Sequence, residues 1–171
     1  MHYVIGMGSN LAAKGYFSPK KTLVAVVEDL QKRFAVLECA PFYKSQPHPP
    51  SGDPWYVNSA CLLQSEDSPR QLLEKLMQIE AFWGRVRTVP NAPRTLDLDI
   101  LAVLEAPEVI QEETEVNPLY IPHPRLHLRS FVLFPMQDIL SDWQHPVLNK
   151  SLQQMCSELQ EPIPAQRMDG S

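Results

Sequence analysis

Leu96-Asp97-Leu98-Asp99-Ile100-Leu101-Ala102-Val103-Leu104 is the stretch that decides the fold. It predicts a buried strand over 96–104, because its apolar residues are branched or large and it is bounded by polar segments. Side chains two apart on a strand share a face, so Leu96, Leu98 and Ile100 point to a core while Asp97 and Asp99 project together on the other side. Such a strand needs neighbours, and the preceding residues supply them. His2 to Met7 is short, apolar and β-favouring and runs into Gly8-Ser9-Asn10, a strand ending in a turn. Val36 to Lys44 and Tyr56 to Gln64 read as two further strands, separated by the proline-rich loop 45–54.

Two helices alternate with these strands. Ser18-Pro19 offers an N-cap followed by proline at the first helical position, and Leu23, Val26, Val27, Leu30 and Phe34 recur at helical spacing. Ser68-Pro69, with Gln71 three residues after the cap, opens a second helix whose inner face is Leu72, Leu73, Leu76, Ile79 and Trp83. The order strand, helix, strand, strand, helix, strand predicts an α+β fold: a ferredoxin-like βαββαβ core sheet with both helices packed on one face. A C-terminal extension adds a short hairpin near Val109-Ile110 and Tyr120-Ile121 and helices near 131–141 and 149–160. The expectation is one domain over 1–160 and a loose tail from Glu161 to Ser171.

Bulk composition narrows the function. The chain has 171 residues, enough for one sizeable core, and 44% of them are hydrophobic against 20% charged, as in folded soluble proteins. No apolar run approaches the ~20 residues of a membrane span, and no basic segment leads into an apolar one at the amino terminus. A cytoplasmic location is therefore expected. Cys39, Cys61 and Cys156 are too few and too scattered for a disulfide framework or a metal cluster, and read as buried thiols. A formal charge of −5 argues against a broad nucleic-acid surface but leaves room for a phosphorylated ligand held by local arginines. No apolar stripe stands out at the surface, so a monomer is the default.

The chemistry concentrates at 85–99. Two carboxylates at the mouth of a buried strand suit magnesium, which takes one or two carboxylates plus water and substrate phosphates. Arg85, Arg87 and Arg94 flank them, and guanidinium groups pair with phosphate oxygens without losing charge. Together these are the parts that phosphoryl transfer uses. An Asp-x-Asp on a strand also arises by chance, and Arg94 with Asp97 could be a simple ion pair. No Walker A loop is present, and Gly6-x-Gly8 fails the dinucleotide fingerprint because Leu11 stands at its third glycine. His123 and His127 have a ligand-like spacing, but no third ligand is near for zinc.

The string Arg94-Thr95-Leu96-Asp97-Leu98-Asp99-Ile100 resembles the hallmark of the 6-hydroxymethyl-7,8-dihydropterin pyrophosphokinases. Gly8-Ser9-Asn10-Leu11, Tyr56-Val57-Asn58, Glu80, Gly84-Arg85-Val86-Arg87, Ile121-Pro122-His123 and Arg129-Ser130-Phe131 extend the likeness, in the family's order, over residues 3–140. The resemblance implies transfer of diphosphate from ATP to a hydroxymethyl-dihydropterin, with release of AMP, in folate biosynthesis. It implies that Asp97 and Asp99 hold two Mg2+ ions against the ATP phosphates. Arg85 and Arg94 would stabilise the transferring group, with Arg94 closing over the site. Arg87 and His123 would bind nucleotide phosphates, and Glu80 would be structural or lie near the nucleotide. Asn58 would read the pterin edge, Phe131 would stack on the ring with Tyr56 opposite, and Ser45 would stand on the pterin side.

The chain departs from that family at several places. No tryptophan lies between Arg87 and Arg94, and Pro90 and Pro93 are expected to stiffen that loop; Gln46 and His48 replace more apolar residues, Met77 a polar one and Pro124 an aromatic. Two other readings compete: a protein that keeps ATP or pterin binding with weak catalysis, supported by the altered loop, and a ferredoxin-like RNA-binding module, which would need aromatics beside basic residues on the sheet.

Overall fold

The computed structural model describes residues 1–86, 92–105, 109–114 and 117–169. The chain runs β1 (His2–Ser9), α1 (Pro19–Arg33), β2 (Ala35–Cys39), β3 (Tyr43–Ser45), β4 (Tyr56–Gln64), α2 (Pro69–Phe82) and β5 (Asp97–Val103). Then come β6 (Ile110–Glu112), β7 (Leu119–Ile121), a 3-10 turn (Leu126–Leu128), α3 (Ser130–Ile139), β8 (Gln144–His145), β9 (Lys150–Ser151), α4 (Leu152–Ser157) and β10 (Gln166–Arg167). It is a mixed α+β architecture: an antiparallel sheet ordered β10-β3-β4-β1-β5, with β2 also on β4, and helices on both of its faces.

Both long helices begin where local chemistry says they should. The Ser18 hydroxyl accepts the Lys21 N–H at 3.2 Å, Pro19 follows it, and Lys32 and Arg33 occupy the last turn, where cations favour the helix dipole. Ser68 and Gln71 form a reciprocal capping box at 3.3 and 2.9 Å. Leu23, Val26 and Leu30 of α1 and Leu72, Leu76 and Ile79 of α2 pack on Tyr3, Ile5, Cys61, Leu98 and Ile100 from one face of the sheet. Each such side chain contributes about 1.5–3 kcal/mol by leaving water. Val4, Ala60, Leu101 and Ala102 meet Leu133, Met136, Leu152 and Met155 of α3 and α4 on the other face. Leu101 sits at a register shift between β1 and β5, an extra residue that puts it beside Ala102 on the α3 side.

Three expectations need correction. The strand expected over 36–44 is two strands, β2 and β3, both paired to β4. Pro41 lies in the break, where a residue without an N–H cannot carry a ladder bond. The tail expected to be loose from Glu161 is held as far as it is described: β10 adds to the sheet edge beside β3, Ala165 is buried and Met168 packs on the core. The helix expected over 149–160 spans only Leu152–Ser157.

The hairpin β6–β7 is anchored to α2 by Arg70, which donates to Glu112 at 2.7 Å and to the Asn117 carbonyl at 2.8 Å. All three cysteines are free thiols, but only Cys61 is fully buried. Phe17 is 99% and Phe82 73% exposed beside Tyr16 and Trp83, so one end of the α1–α2 layer does present aromatic surface. No described helix is long and apolar enough to cross a membrane.

Candidate active site

A cleft of about 440 Å³ opens over the α3 side of the sheet, at the ends of β1, β4 and β5. Its floor is made by what β1 lacks. Gly8 pairs with Asp97 and Gly6 with Asp99, so each carboxylate stands across from a residue without a side chain. A Cβ on Gly8 would lie 3.2 Å from the Asn58 amide oxygen, and one on Gly6 would lie 3.1 Å from the Leu101 side chain. Alternating glycines in a strand interior keep this space open for a ligand.

Asp97 is shared by two arginines. Arg85 Nη1 donates to one carboxylate oxygen at 2.5 Å, and Arg94 Nη1 to the other at 2.9 Å. Burial lowers the Arg85 pKa, but Asp97 and Glu80 outweigh it and hold the guanidinium above its ordinary value. The Asp99 carboxylate makes no hydrogen bond or ion pair among the described residues. It is open to cleft solvent while protein hems it in, and burial, then Asp97 and Glu80, push its pKa up to about 7.

Glu80 sits beneath this group and outside the cleft lining. It is 2% exposed, accepts the Leu98 N–H at 2.7 Å and pairs with Arg85. Through these contacts it ties α2 to β5 and holds Arg85. The four cationic side chains described around the cleft are Arg85, Arg94, Arg125 and Arg129. Arg94 Nε and Arg129 Nε are buried without a hydrogen-bond partner among the described residues, which suits them to anionic oxygens. Burial, then Arg125, lowers the Arg129 pKa, as expected where cations crowd.

His123 also lines the cleft. Its Nδ1 accepts the Arg125 N–H at 3.2 Å, which leaves the proton on Nε2 as a donor. Burial, then Arg129 and Arg125, lowers its pKa from 6.5 to about 4 against the opposing pull of Asp97, so the imidazole is neutral at pH 7. Between about pH 6.5 and about 4 the unfolded chain binds a proton that native His123 refuses, so this residue lowers stability as pH falls through that window. The melting temperature of His123→Gln is expected to fall less than that of the natural protein between about pH 7 and about pH 4.5. Equal falls would place the acid-sensitive group elsewhere.

The opposite wall is aromatic and amide. Tyr56 and Asn58 share a face of β4, and Asn58 Nδ2 donates to the Ser45 hydroxyl on β3 at 2.9 Å. The Arg94 guanidinium lies 5.7 Å from the Tyr56 ring centre, and Arg129 lies 5.5 Å from that of Phe131 at the start of α3. Ser45, Tyr56, Asn58, Arg85, Arg94, Asp97, Asp99, His123 and Phe131 therefore line one cleft. Arg87 and most of the 88–93 loop lie outside the described residues. His127 stacks edge-on to His145, away from the cleft lining, and no group of three metal-ligating side chains occurs among the described residues.

Five contributors carry no site role in the sequence reading. Gly6 and Gly8 were visible as alternate glycines in a strand. Arg125 and Arg129 flank His123 and Phe131, and their proximity to the carboxylates is set by the fold alone. Asn10 joins two sides of the cleft: its side chain accepts the Arg94 N–H at 2.8 Å and donates to the Pro54 carbonyl at 3.1 Å.

A carboxylate pair, converging guanidiniums and an aromatic wall in one cleft have the chemistry that a polyphosphate beside a flat polar ring would need. The comparisons agree with that class. Residues 4–141 match the family model of 7,8-dihydro-6-hydroxymethylpterin-pyrophosphokinase. The 2-amino-4-hydroxy-6-hydroxymethyldihydropteridine pyrophosphokinase of Haemophilus influenzae is 39% identical over 81% of this chain and 81% of that protein. The protein of the same name from Pseudomonas aeruginosa is 33% identical over 83% and 82%. The folic acid synthesis protein fol1 of Pneumocystis carinii is 38% identical over 86% of this chain, which spans only 19% of that longer protein. The chain belongs to the 7,8-dihydro-6-hydroxymethylpterin-pyrophosphokinase family.

Proposed function

We propose that this protein transfers the terminal diphosphate of ATP to the hydroxymethyl group of 6-hydroxymethyl-7,8-dihydropterin in folate biosynthesis. The observation that carries the reading is the meeting, in one cleft, of Asp97 and Asp99 with Arg85 and Arg94 on one side and Tyr56, Asn58 and Phe131 on the other. Family membership supports the same reaction. In it, the hydroxymethyl oxygen bonds to the β phosphorus, the bridge to the α phosphate breaks, AMP leaves and the hydroxyl proton is released.

Magnesium fits the residues present. Asp97 and Asp99 face two glycines, and the crowding that raises the Asp99 pKa is the kind that a divalent cation relieves. Bound there with ATP, two such ions would neutralise phosphate charge and align the attacking and leaving oxygens. The chain's own groups do the rest. Arg85, held by Glu80, and Arg94 exchange Asp97 for the transferring phosphates as negative charge accumulates there. Neutral His123 donates Nε2–H to a nucleotide phosphate, and Arg87 is proposed to pair with the same phosphates. Asn58, oriented by Ser45, reads the pterin amide edge, and Phe131 and Tyr56 enclose the ring.

The strand order supports reading the core as a ferredoxin-like βαββαβ unit with β2 and β3 counted as one interrupted strand. The discriminating experiment is the identity of the nucleotide product. Diphosphate transfer yields AMP, whereas transfer of the γ phosphate would yield ADP and would contradict the proposal.

A further inference from the structure

We propose that the C-terminal segment 161–168, through Glu161, positions the substrate wall of the cleft, an inference that rests on the function proposed above. Helix α3 carries Phe131 and Val132 into the cleft and is preceded by Arg129, yet it is poorly held from within. Arg129, at its N-cap position, provides no side-chain cap. Pro135 has no N–H to bond the Phe131 carbonyl one turn earlier. The first turn thus lacks both its usual cap and one of its own backbone bonds.

Glu161 supplies the missing cap from 31 residues further along the chain. One carboxylate oxygen accepts the Ser130 N–H at 3.1 Å and the other accepts the Ser130 hydroxyl, whose oxygen in turn accepts the Ala165 N–H at 2.7 Å. Ser130 is fully buried, so these are the partners available to it without water. The carboxylate also stands where the helix dipole favours negative charge, and it acts on Arg129 electrostatically. The same segment then grips the other wall. Gln166 and Arg167 pair with Lys44 and Tyr43 of β3, next to Ser45, and the Met168 N–H bonds the Phe42 carbonyl at 2.8 Å. Arg167 reaches Asp138 near the far end of α3 at 3.6 Å, and that carboxylate also receives the Tyr43 hydroxyl at 2.6 Å. The segment therefore fixes the stacking ring on α3 relative to the Ser45–Asn58 pair on the sheet. The segment's own residues lie beyond the 4–141 stretch matched by the family model.

The test compares the natural protein with Glu161→Ala and Glu161→Gln, measuring Kd for 6-hydroxymethyl-7,8-dihydropterin and for the magnesium complex of a non-hydrolysable ATP analogue. Glu161→Ala is expected to weaken pterin binding about 10-fold, the scale of a lost cap, with nucleotide affinity unchanged. Glu161→Gln, which can still accept the Ser130 N–H and donate to its hydroxyl, is expected to restore most of the pterin affinity. Unchanged pterin affinity in Glu161→Ala, or equal losses for pterin and nucleotide, would overturn the positioning role. Absence of pterin binding by the natural protein would instead sink the underlying functional reading.

Discussion

Asp99→Asn is expected to lower kcat by roughly 10²–10³-fold while leaving the melting temperature in EDTA unchanged or slightly raised. The two halves of this expectation come from one geometry. The Asp99 carboxylate makes no hydrogen bond or ion pair among the described residues, and burial, then Asp97 and Glu80, raise its pKa. Arg85 and Arg129 offset only part of that cost, so replacing the carboxylate by a neutral isostere removes a net cost of folding. A group that costs stability and lies in a cleft is explained by what it binds. If the carboxylate holds a divalent cation against phosphate, the amide loses the charge that makes this favourable. Parallel losses of stability and turnover would show that Asp99 serves the fold. Retained turnover would remove it from the metal assignment.

Arg94→Ala is expected to lower kcat by roughly 10²-fold and to change pterin affinity by less than about 3-fold. Arg94 donates to Asp97, and its buried Nε has no partner among the described residues, so the side chain is only partly used in this state. Its backbone is fixed independently of the guanidinium: the Arg94 N–H bonds Asn10, and its carbonyl accepts the Asn10 and Leu11 N–H groups at 3.1 Å each. Truncation should therefore remove the charge without moving the loop's base. Because a compact ammonium cannot reproduce a planar fork between carboxylate and phosphate, Arg94→Lys should recover little of the loss. An equal fall in pterin affinity would mean that Arg94 acts by stacking near Tyr56 in the ground state.

Much of this arrangement was legible in the sequence because it rests on local pattern. Ser18-Pro19 and Ser68-Pro69 announced both helices through capping chemistry that a few adjacent residues complete. The alternation in Leu96-Asp97-Leu98-Asp99 placed both carboxylates on one side of β5 because strand geometry has period two. Tyr56 and Asn58 followed by the same rule. What was not legible depends on partners far along the chain. Glu80 is a helix carboxylate like any other until Leu98 and Arg85 meet it, and β10 is too short to show a period. Arg125 and Arg129 gain their meaning from carboxylates some thirty residues away. Pro41 and the alternating Gly6 and Gly8 did carry signals, an interrupted strand and an open floor, that only the sheet register made specific.

The most direct test incubates the purified protein with ATP, magnesium and 6-hydroxymethyl-7,8-dihydropterin and follows AMP and pterin diphosphate together. Equal amounts of the two, abolished by EDTA, are predicted. Tight binding of either substrate without AMP, or AMP formed without pterin diphosphate, would contradict diphosphate transfer at this cleft.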